Sequence, residues 1–370
     1  MADQERSRAI EERLERLFEN LNNRVESDER LKKLTPLVKG AEGFLFGGTE
    51  LVADTFPYLR DNIGMQRFMS MPIIGLMLPT LAGIYFFGWR ALAIVAVSYT
   101  VGGLTEMIFS YVRGEDITEG LLVTGILFPL TLPPTTPLWM VALGIIVGVA
   151  MGKEIFGGTG NNIFNPALVG RAFLLISFPV EMTTRWAEPM VGGVAGFGTY
   201  AISSDAISRA TPLINFKATA ETFPLREMFL GNISGSIGET SALLLLLGGI
   251  LLIVTKIIDW RVPLSYIGTV GLLAWGLNIL TPERFAPPLF QMLAGGVFLA
   301  AFFMLTDPVT HPMLSRGKWI FGIGCGVLTV LIRALTGFAE GVLFAVLLMN
   351  MFTPLIDLLT LPKGYRREAV

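Results

Sequence analysis

The sequence predicts an all-α integral membrane protein of about ten transmembrane helices, and three observations support this fold class. Of the 370 residues, 52% are hydrophobic. Only 16% are charged, compared with about 25% in an ordinary soluble domain. About ten apolar runs approach the roughly 20 residues that a helix needs to cross the hydrocarbon core, and none shows the alternation of a barrel strand.

The predicted spans share high apolarity and few charges. Several of them are shorter than a bilayer requires, and Pro133-Pro134 ends the third where the hydrocarbon should continue. We therefore expect some helices to be short or broken. The spans are residues 71–87, 91–112, 120–132, 137–151, 163–178, 241–257, 262–280, 288–305, 319–332 and 342–359.

Two short matches suggest that the membrane part consists of two pseudo-repeats. Residues 113–133 and 333–354 each contain an arginine, a Glu-Gly pair and an apolar run that ends in proline. Duplicated halves with broken helices are typical of secondary transporters and channels. Two matches of this length also arise by chance, so the repeat is one of two open interpretations.

Loop charges predict the orientation and five regions. Lysine and arginine concentrate in loops on the side of both termini, which places the termini in the cytoplasm, and no cleavable signal peptide is expected. The N-terminal region is helical, either as a solvated helix or as a docking helix for a partner. The regions are a cytoplasmic extension (1–69), a first membrane half (70–178), an outer-face loop (179–240), a second membrane half (241–360) and a cytoplasmic tail (361–370).

Composition excludes several classes of function. A net charge of −2 gives no basis for nucleic-acid binding. The single cysteine, Cys325, lies in an apolar run, so this chain alone builds neither a disulfide framework nor a cysteine-ligated cluster. The single histidine, His311, stands in a loop, where we expect it to be solvated and not to bind a metal.

Three acidic residues fall inside or at the ends of predicted spans: Glu106, Asp307 and Asp357. An ionisable group in a bilayer costs a few kcal/mol, so each acid is a candidate for function. A carboxylate can replace part of the water shell of a cation, which indicates an ion path. The alternative is that each acid caps a helix or pairs with Arg113, Arg333 or Lys153.

Two polar stretches could bind ligands. Residues 152–166 form a glycine-rich loop with Asn162 and Asn165 at a predicted helix start, which suits either a ligand or a tight re-entrant turn. In residues 205–213, Pro212 favours an extended Thr211, whose hydroxyl could point outward with Arg209 nearby as a phosphate partner. An ordinary polar turn explains the second stretch equally simply.

Six motifs within residues 58–365 together identify a family resemblance. They are residues 119–128, 133–139, 152–166, 231–239, 306–310 and 317–322. With these motifs the sequence resembles the membrane-flavoprotein family that holds NqrB, from the sodium-translocating NADH:quinone reductase (Nqr), and RnfD, from the Rnf NAD:ferredoxin complex. Residues 101–145 look more like Nqr, whereas residues 174–183, 210–217 and 321–326 look more like Rnf, and the balance favours Rnf.

The resemblance implies site residues and cofactors. In that family FMN is joined through its phosphate to a threonine in a motif that matches here at Asp205, Ser208, Ala210 and Thr211, so Thr211 is implied as the attachment residue. Arg209 stands where glycine is common. Relatives also hold riboflavin near positions that match Asn162 and Asn165, and acids that match Glu106, Asp307 and Asp357 are implicated in sodium uptake.

The resemblance also implies the function. It predicts an FMN-bearing subunit of a redox-driven ion translocase, inactive alone, in a bacterial-type inner membrane with a urea-channel-like arrangement of helices. The implied partners are other membrane and peripheral subunits, a flavin transferase, and Na+ or H+. A non-redox channel or secondary transporter is the alternative, because the predicted spans and the repeat fit it equally well.

Overall fold

The computed structural model describes residues 65–114, 120–189, 211–282, 285–336 and 341–362. Within these ranges every regular element is a helix, which confirms the predicted fold class. Nearly all of the predicted N-terminal extension and cytoplasmic tail lies outside the described residues.

In its described residues, the first membrane half contains five helices. A 3-10 turn, Glu154–Phe156, follows the fourth of them. The helices are α1 (Met65–Phe87), α2 (Trp89–Arg113), α3 (Gly120–Leu130), α4 (Leu138–Gly152) and α5 (Pro166–Ser177).

Three short helices and a second set of membrane helices follow. The short ones are α6 (Pro179–Thr183), α7 (Pro212–Thr219) and α8 (Leu225–Leu230). The second half contains α9 (Ala242–Val254), α10 (Arg261–Leu280), α11 (Pro288–Leu293), α12 (Val297–Leu299), a π-helical segment (Ala300–Met304), α13 (Ser315–Leu335) and α14 (Val342–Thr360).

The bundle contains both full-length helices and short or interrupted ones, as predicted. Among the described residues, α1, α2, α4, α10, α13 and α14 are long and apolar enough to cross a membrane. The helices α3, α5 and α9 are apolar but shorter. The predicted span 288–305 is divided into three pieces, and Gly295 at the division has a φ of 68°, a left-handed conformation that favours glycine. Each of the ten predicted spans thus contains helix.

The two halves follow similar packing plans. In the first half α4 packs against α2 and α5, and in the second half α13 packs against α10 and α14. Helices α1 and α9 join the halves, and their backbones approach closely at Gly75 and Gly248. In this plan α3 corresponds to the interrupted region 288–304.

The repeat predicted from sequence pairs the wrong segments. Residues 113–133 contain a loop and the short α3, whereas residues 333–354 contain the end of α13 and most of the full-length α14. A better signal is the shared pattern Phe-x-Leu-Thr-x-Pro-x-Thr-x-Pro at 128–137 and 303–312. It follows α3 in one half and the π segment in the other, so it marks the two interruptions.

The interruption after α3 obtains its hydrogen bonds from a distant segment. The backbone N–H of Ile237 donates to the Leu132 carbonyl at 3.0 Å, and that of Gly238 donates to the Leu130 carbonyl at 2.8 Å. Backbone groups at membrane depth need partners within the protein. Residues 231–241, predicted to belong mostly to an outer-face loop, therefore re-enter the bundle and complete the broken helix.

The helix ends define two faces. We name the Lys153 face for the side where α2 and α4 end, and there Arg113 contacts Glu154 at 2.9 Å. We name the Thr211 face for the opposite side, where α7 lies against the end of α13 and the Lys217 ammonium donates to the Thr336 carbonyl at 3.1 Å. The basic loops predicted to be cytoplasmic and the predicted flavin-attachment residue thus lie on opposite sides.

An ion-pair cluster joins α10 and α13 on the Lys153 face. The Asp259 carboxylate contacts Lys318 at 3.1 Å and Arg261 at 3.2 Å. Burial acts to raise the pKa of Asp259, but the Arg261 backbone N–H and the Lys318 ammonium outweigh it and hold the pKa below its usual range. The cluster thus fixes the starts of two neighbouring helices relative to each other.

Close packing of α10 on α13 should make Gly326 intolerant of a methyl group. A Cβ at Gly326 would lie 2.7 Å from the Thr269 Cβ and 3.1 Å from the Tyr266 carbonyl oxygen. We expect Gly326→Ala to destabilise the protein by about 1–3 kcal/mol through overpacking, measured as a lower thermal midpoint in detergent. Gly268→Ala on α10 is the matched control, because outside its own stretch of helix no atom of the described chain lies within 4 Å of its added Cβ. Equal midpoints for the two variants would contradict the close packing.

Candidate functional site

A cavity of about 70 Å³ opens at the Lys153 face between the two halves. Helices α1 and α3 form one wall, and the end of α9 and the π segment form the other. Its polar lining comes from both halves, so the cavity exists only when the halves pack together. The polar and charged lining residues are Thr124, Lys153, Thr159, Asn162, Asn165, Thr306 and Asp307.

Both predicted asparagines line this cavity. The Asn165 side chain caps α5 by accepting from the Ala167 N–H at 3.1 Å. Asn162 holds the preceding loop, because its amide donates to the Phe164 carbonyl at 3.1 Å and accepts from the Gly160 N–H at 3.3 Å. The loop is therefore a tight turn that presents amide groups to a cavity, and ligand binding by these amides stays a prediction.

Asp307 lies opposite the asparagines, in the loop after the π segment. Its carboxylate accepts from the Val309 N–H at 3.3 Å and from the Thr310 hydroxyl at 3.2 Å. Its backbone carbonyl lies 2.7 Å from Nδ1 of His311. His311 is partly buried and burial lowers its pKa, so the predicted solvation of this histidine is wrong. The loop folds back on itself because its polar groups bond one another.

Glu106 forms a buried ion pair with Lys153. The Lys153 ammonium lies 2.8 Å from the Glu106 carboxylate, and the two side chains are 4% and 3% exposed. Lys153 lines the cavity, whereas Glu106 lies behind it on α2. The pairing interpretation therefore describes Glu106 in this structure, and the acid reaches the cavity only through its partner.

Asp357 lies at the same face but outside the cavity. Its carboxylate accepts from the Met313 N–H at 3.1 Å, which ties the end of α14 to the loop before α13. One turn earlier on α14, the Thr353 hydroxyl donates to the Thr310 carbonyl at 2.9 Å. Of the three predicted acids only Asp307 lines the cavity, and Asp357 is connected to it through this loop.

Thr211 caps the N-terminus of α7. Its hydroxyl accepts from the Ile214 N–H at 3.4 Å, and Pro212 occupies the first helical position. The side chain is 7% exposed and lies beside Ser234 and Glu239, so the hydroxyl points along the helix and not outward. The other predicted motif residues, Asp205, Ser208, Arg209 and Ala210, lie outside the described residues.

Sequence reasoning missed a buried ion pair at the centre of the fold. Arg171 of α5 lies 3.4 Å from Glu239 in the re-entrant segment, and the side chains are 7% and 4% exposed. The rule that flagged the three acids also applies to Arg171, which falls inside the predicted span 163–178. Glu239 gave no such signal because its segment was predicted to lie outside the membrane.

The chain matches known membrane proteins over most of its length. Residues 52–366 match the model of the NQR2, RnfD, RnfE family. The chain is 41% identical over 319 residues to the RnfD subunit of the proton-translocating ferredoxin:NAD(+) oxidoreductase complex of Clostridium ljungdahlii, covering 83% of this chain and 93% of that one. It is 40% identical over 331 residues to the corresponding subunit of the ion-translocating oxidoreductase complex of Stutzerimonas stutzeri, covering 82% and 93%.

A relative from the second branch matches with similar identity. The NqrB subunit of the Na(+)-translocating NADH-quinone reductase of Ectopseudomonas mendocina is 42% identical over 283 residues, covering 75% of this chain and 68% of that one. The branch therefore stays a prediction. The match over residues 52–366 shows that the chain belongs to the NQR2, RnfD, RnfE family.

Proposed function

We propose that this chain is the FMN-bearing membrane subunit of an ion-translocating redox complex of the Rnf or Nqr type. The observation that carries the proposal is the arrangement of two sites in a member of this family. Thr211 lies at one face of the bundle, and a cavity with Asp307 opens at the other. A redox group and an ion site on opposite faces suit a subunit that couples electron transfer to ion export.

The surroundings of Thr211 fit a phosphoester. The hydroxyl lies at the N-terminus of the eight-residue helix α7, where backbone N–H groups and the helix dipole stabilise a negative charge. Covalently bound FMN would supply one- and two-electron transfer. Because Thr211 is buried, a flavin transferase requires this segment to open locally or to be modified before α7 packs.

The Lys153-face cavity fits a cation better than a second flavin. Carboxylate and amide oxygens are the ligands that hard cations prefer, and Asp307, Asn162 and Asn165 offer both. Pockets for drug-sized ligands enclose about 300–1,000 Å³, whereas this cavity encloses about 70 Å³. We propose that the cavity holds Na+ or H+ with a few waters, and riboflavin beside Asn162 and Asn165 stays a prediction.

The positive-inside bias supports an orientation for this arrangement. We place the Lys153 face and both termini in the cytoplasm and the Thr211 face outside, in a bacterial-type inner membrane. Cations then enter at Asp307 and leave on the side of the flavin. Export of one charge against 100 mV takes about 2.3 kcal/mol, which electron transfer through partner subunits would supply. A channel without redox function has the same broken helices but needs no flavin.

Covalent flavin on Thr211 is the first prediction of this function. We expect a yellow-fluorescent band on a denaturing gel when the chain is produced with a flavin transferase, and no fluorescence for Thr211→Ala. Thr211→Ser is the matched control because it retains a hydroxyl at the same position, and its band should remain fluorescent. A dark wild-type band would remove the covalent flavin and favour the channel.

Asp307 should set the cation dependence of the assembled complex. We expect Asp307→Asn to raise the Na+ or H+ concentration for half-maximal turnover by about tenfold or more, because the amide loses the charge that attracts a cation. Flavin fluorescence on the gel should not change. Asp259→Asn is the control, since Asp259 lies on the same face but does not line the cavity. An equal shift for both variants would exclude a specific role of Asp307.

Variants of the Glu106–Lys153 pair distinguish a role in stability from a role in ion transport. We expect Glu106→Gln or Lys153→Met alone to destabilise the protein by about 3–5 kcal/mol, because each removes the nearest counter-ion of a buried charge. For Lys153, the Glu154 carboxylate at 3.8 Å remains in the first variant. The double variant should recover most of the thermal midpoint. If Glu106 also serves the ion path, cation-dependent turnover stays impaired in the double variant. Full recovery of turnover would make the pair purely structural.

A further inference from the structure

A second and larger cavity opens on the Thr211 face. It encloses about 640 Å³ between α7 and the outer ends of α10 and α13, within the range of pockets that hold cofactors. None of the predicted site residues lines it. Its described lining consists of Leu213, Phe216, Lys217, Ala218, Thr219, Ala220, Ala274, Phe285, Gln291, Val330, Arg333, Ala334 and Thr336.

The charged groups among these described lining residues are both cations. Arg333 is 6% exposed and forms part of the wall. Its guanidinium donates to the Gln291 carbonyl at 2.8 Å and to the Ala294 carbonyl at 2.9 Å. Lys217 stands at the rim and donates to the Thr336 carbonyl. These carbonyl groups hold the two cations in position beside the cavity.

The cations influence each other. Burial, together with the charge of Arg333, lowers the pKa of Lys217. A negatively charged group bound in the cavity would be attracted to both side chains.

The remaining walls suit a flat ring. Phe216 and Phe285 contribute aromatic faces, and Phe216 is held in place by Phe290, with ring centroids 5.7 Å apart. Leu213 and Val330 add apolar surface. A cavity with apolar and aromatic lining and two cations suits a planar heterocycle that carries a negative charge.

The cavity lies within reach of Thr211. Thr211 and Lys217 are six residues apart at opposite ends of α7, or about 9 Å at 1.5 Å per residue. The space immediately beside Thr211 encloses only about 10 Å³, far less than the roughly 300–1,000 Å³ of pockets that hold cofactors. Among the described residues, a flexible chain that is attached at Thr211 and extends along α7 reaches this larger cavity.

We propose that this cavity, through Lys217 and Arg333, binds the pyrimidine edge of the flavin ring attached at Thr211. This inference rests on the proposed function and assigns a place and two cationic partners to the ring. Uptake of two electrons and one proton leaves one negative charge on the N1–C2=O edge, and the cations would stabilise it. Lys217 and Arg333 thereby raise the reduction potential of the flavin.

Sulfite addition measures these charges without requiring activity. Sulfite forms a bond from its sulfur lone pair to N5 of the oxidised ring, and the negative charge moves to the N1–C2=O edge. With the full-length flavinylated chain purified from membranes, we expect Lys217→Met to weaken sulfite binding, followed by loss of flavin absorbance, about tenfold or more. Lys217→Arg should retain most of the affinity for sulfite, because it keeps the positive charge.

Two controls separate this proposal from the one it rests on. Arg226→Met removes a cation that does not line the cavity, and it should leave sulfite binding unchanged. If flavin is attached at Thr211 but Lys217→Met and Arg226→Met behave alike, the cavity assignment is overturned and the proposed function stands. If no flavin is attached at Thr211, both the cavity assignment and the proposed function are overturned.

A labelling experiment identifies the occupant. Thr219 lines the cavity, and Cys325 is buried, so a single reactive thiol can be introduced with Thr219→Cys. We expect a membrane-impermeant maleimide to label this thiol several-fold more slowly in flavinylated protein than in the Thr211→Ala background. Equal labelling rates would show that the ring lies elsewhere, and protection that persists without Thr211 would assign the cavity to another anion, such as a lipid phosphate.

Discussion

The fold depends on the need of backbone groups inside a bilayer to find partners within the protein. Helix α3 stops at Leu130, before it could cross the hydrocarbon. The Leu130 carbonyl accepts from the N–H of residue 238, and the carbonyl of residue 132 accepts from the N–H of residue 237. The segment that supplies these donors must therefore leave the surface and enter the bundle. This single requirement brings Glu239 to the centre, where Arg171 compensates its charge and Gly296 leaves room for its carboxylate.

The interruptions also create the two cavities. The loop after the π segment bends because Asp307, Thr310 and His311 bond one another, and this bend leaves space facing the asparagine loop. On the opposite face the short α11 ends where the Arg333 guanidinium donates to the Gln291 and Ala294 carbonyls. An uninterrupted bundle of ten helices would place side chains at both positions. The breaks thus interrupt the regular helices and create a polar site near each face of the bundle, as in other transport proteins.

The charged side chains inside the bundle differ in how their charge is stabilised. Glu106 with Lys153 and Arg171 with Glu239 are compensated pairs away from solvent, whereas the Asp307 carboxylate faces a cavity and is held by hydrogen bonds from its own loop. A compensated pair is costly to break and suits a structural role. An acid that is held by hydrogen bonds can exchange them for a cation. This difference separates the acids that the sequence presented as equivalent.

The sequence by itself determined the all-helical membrane fold, the positions of the spans, the presence of breaks, and the residues that line the Lys153-face cavity from the asparagine loop and from Asp307. These features follow from local composition, because bilayer thickness sets span length and proline or glycine marks an interruption. Only the tertiary structure decided which break meets which segment, that Glu106 is paired, that Thr211 is turned inward and that Lys217 shares a cavity with Arg333. Such contacts join residues as distant as Arg171 and Glu239, which are 68 positions apart, and local patterns carry no information about them.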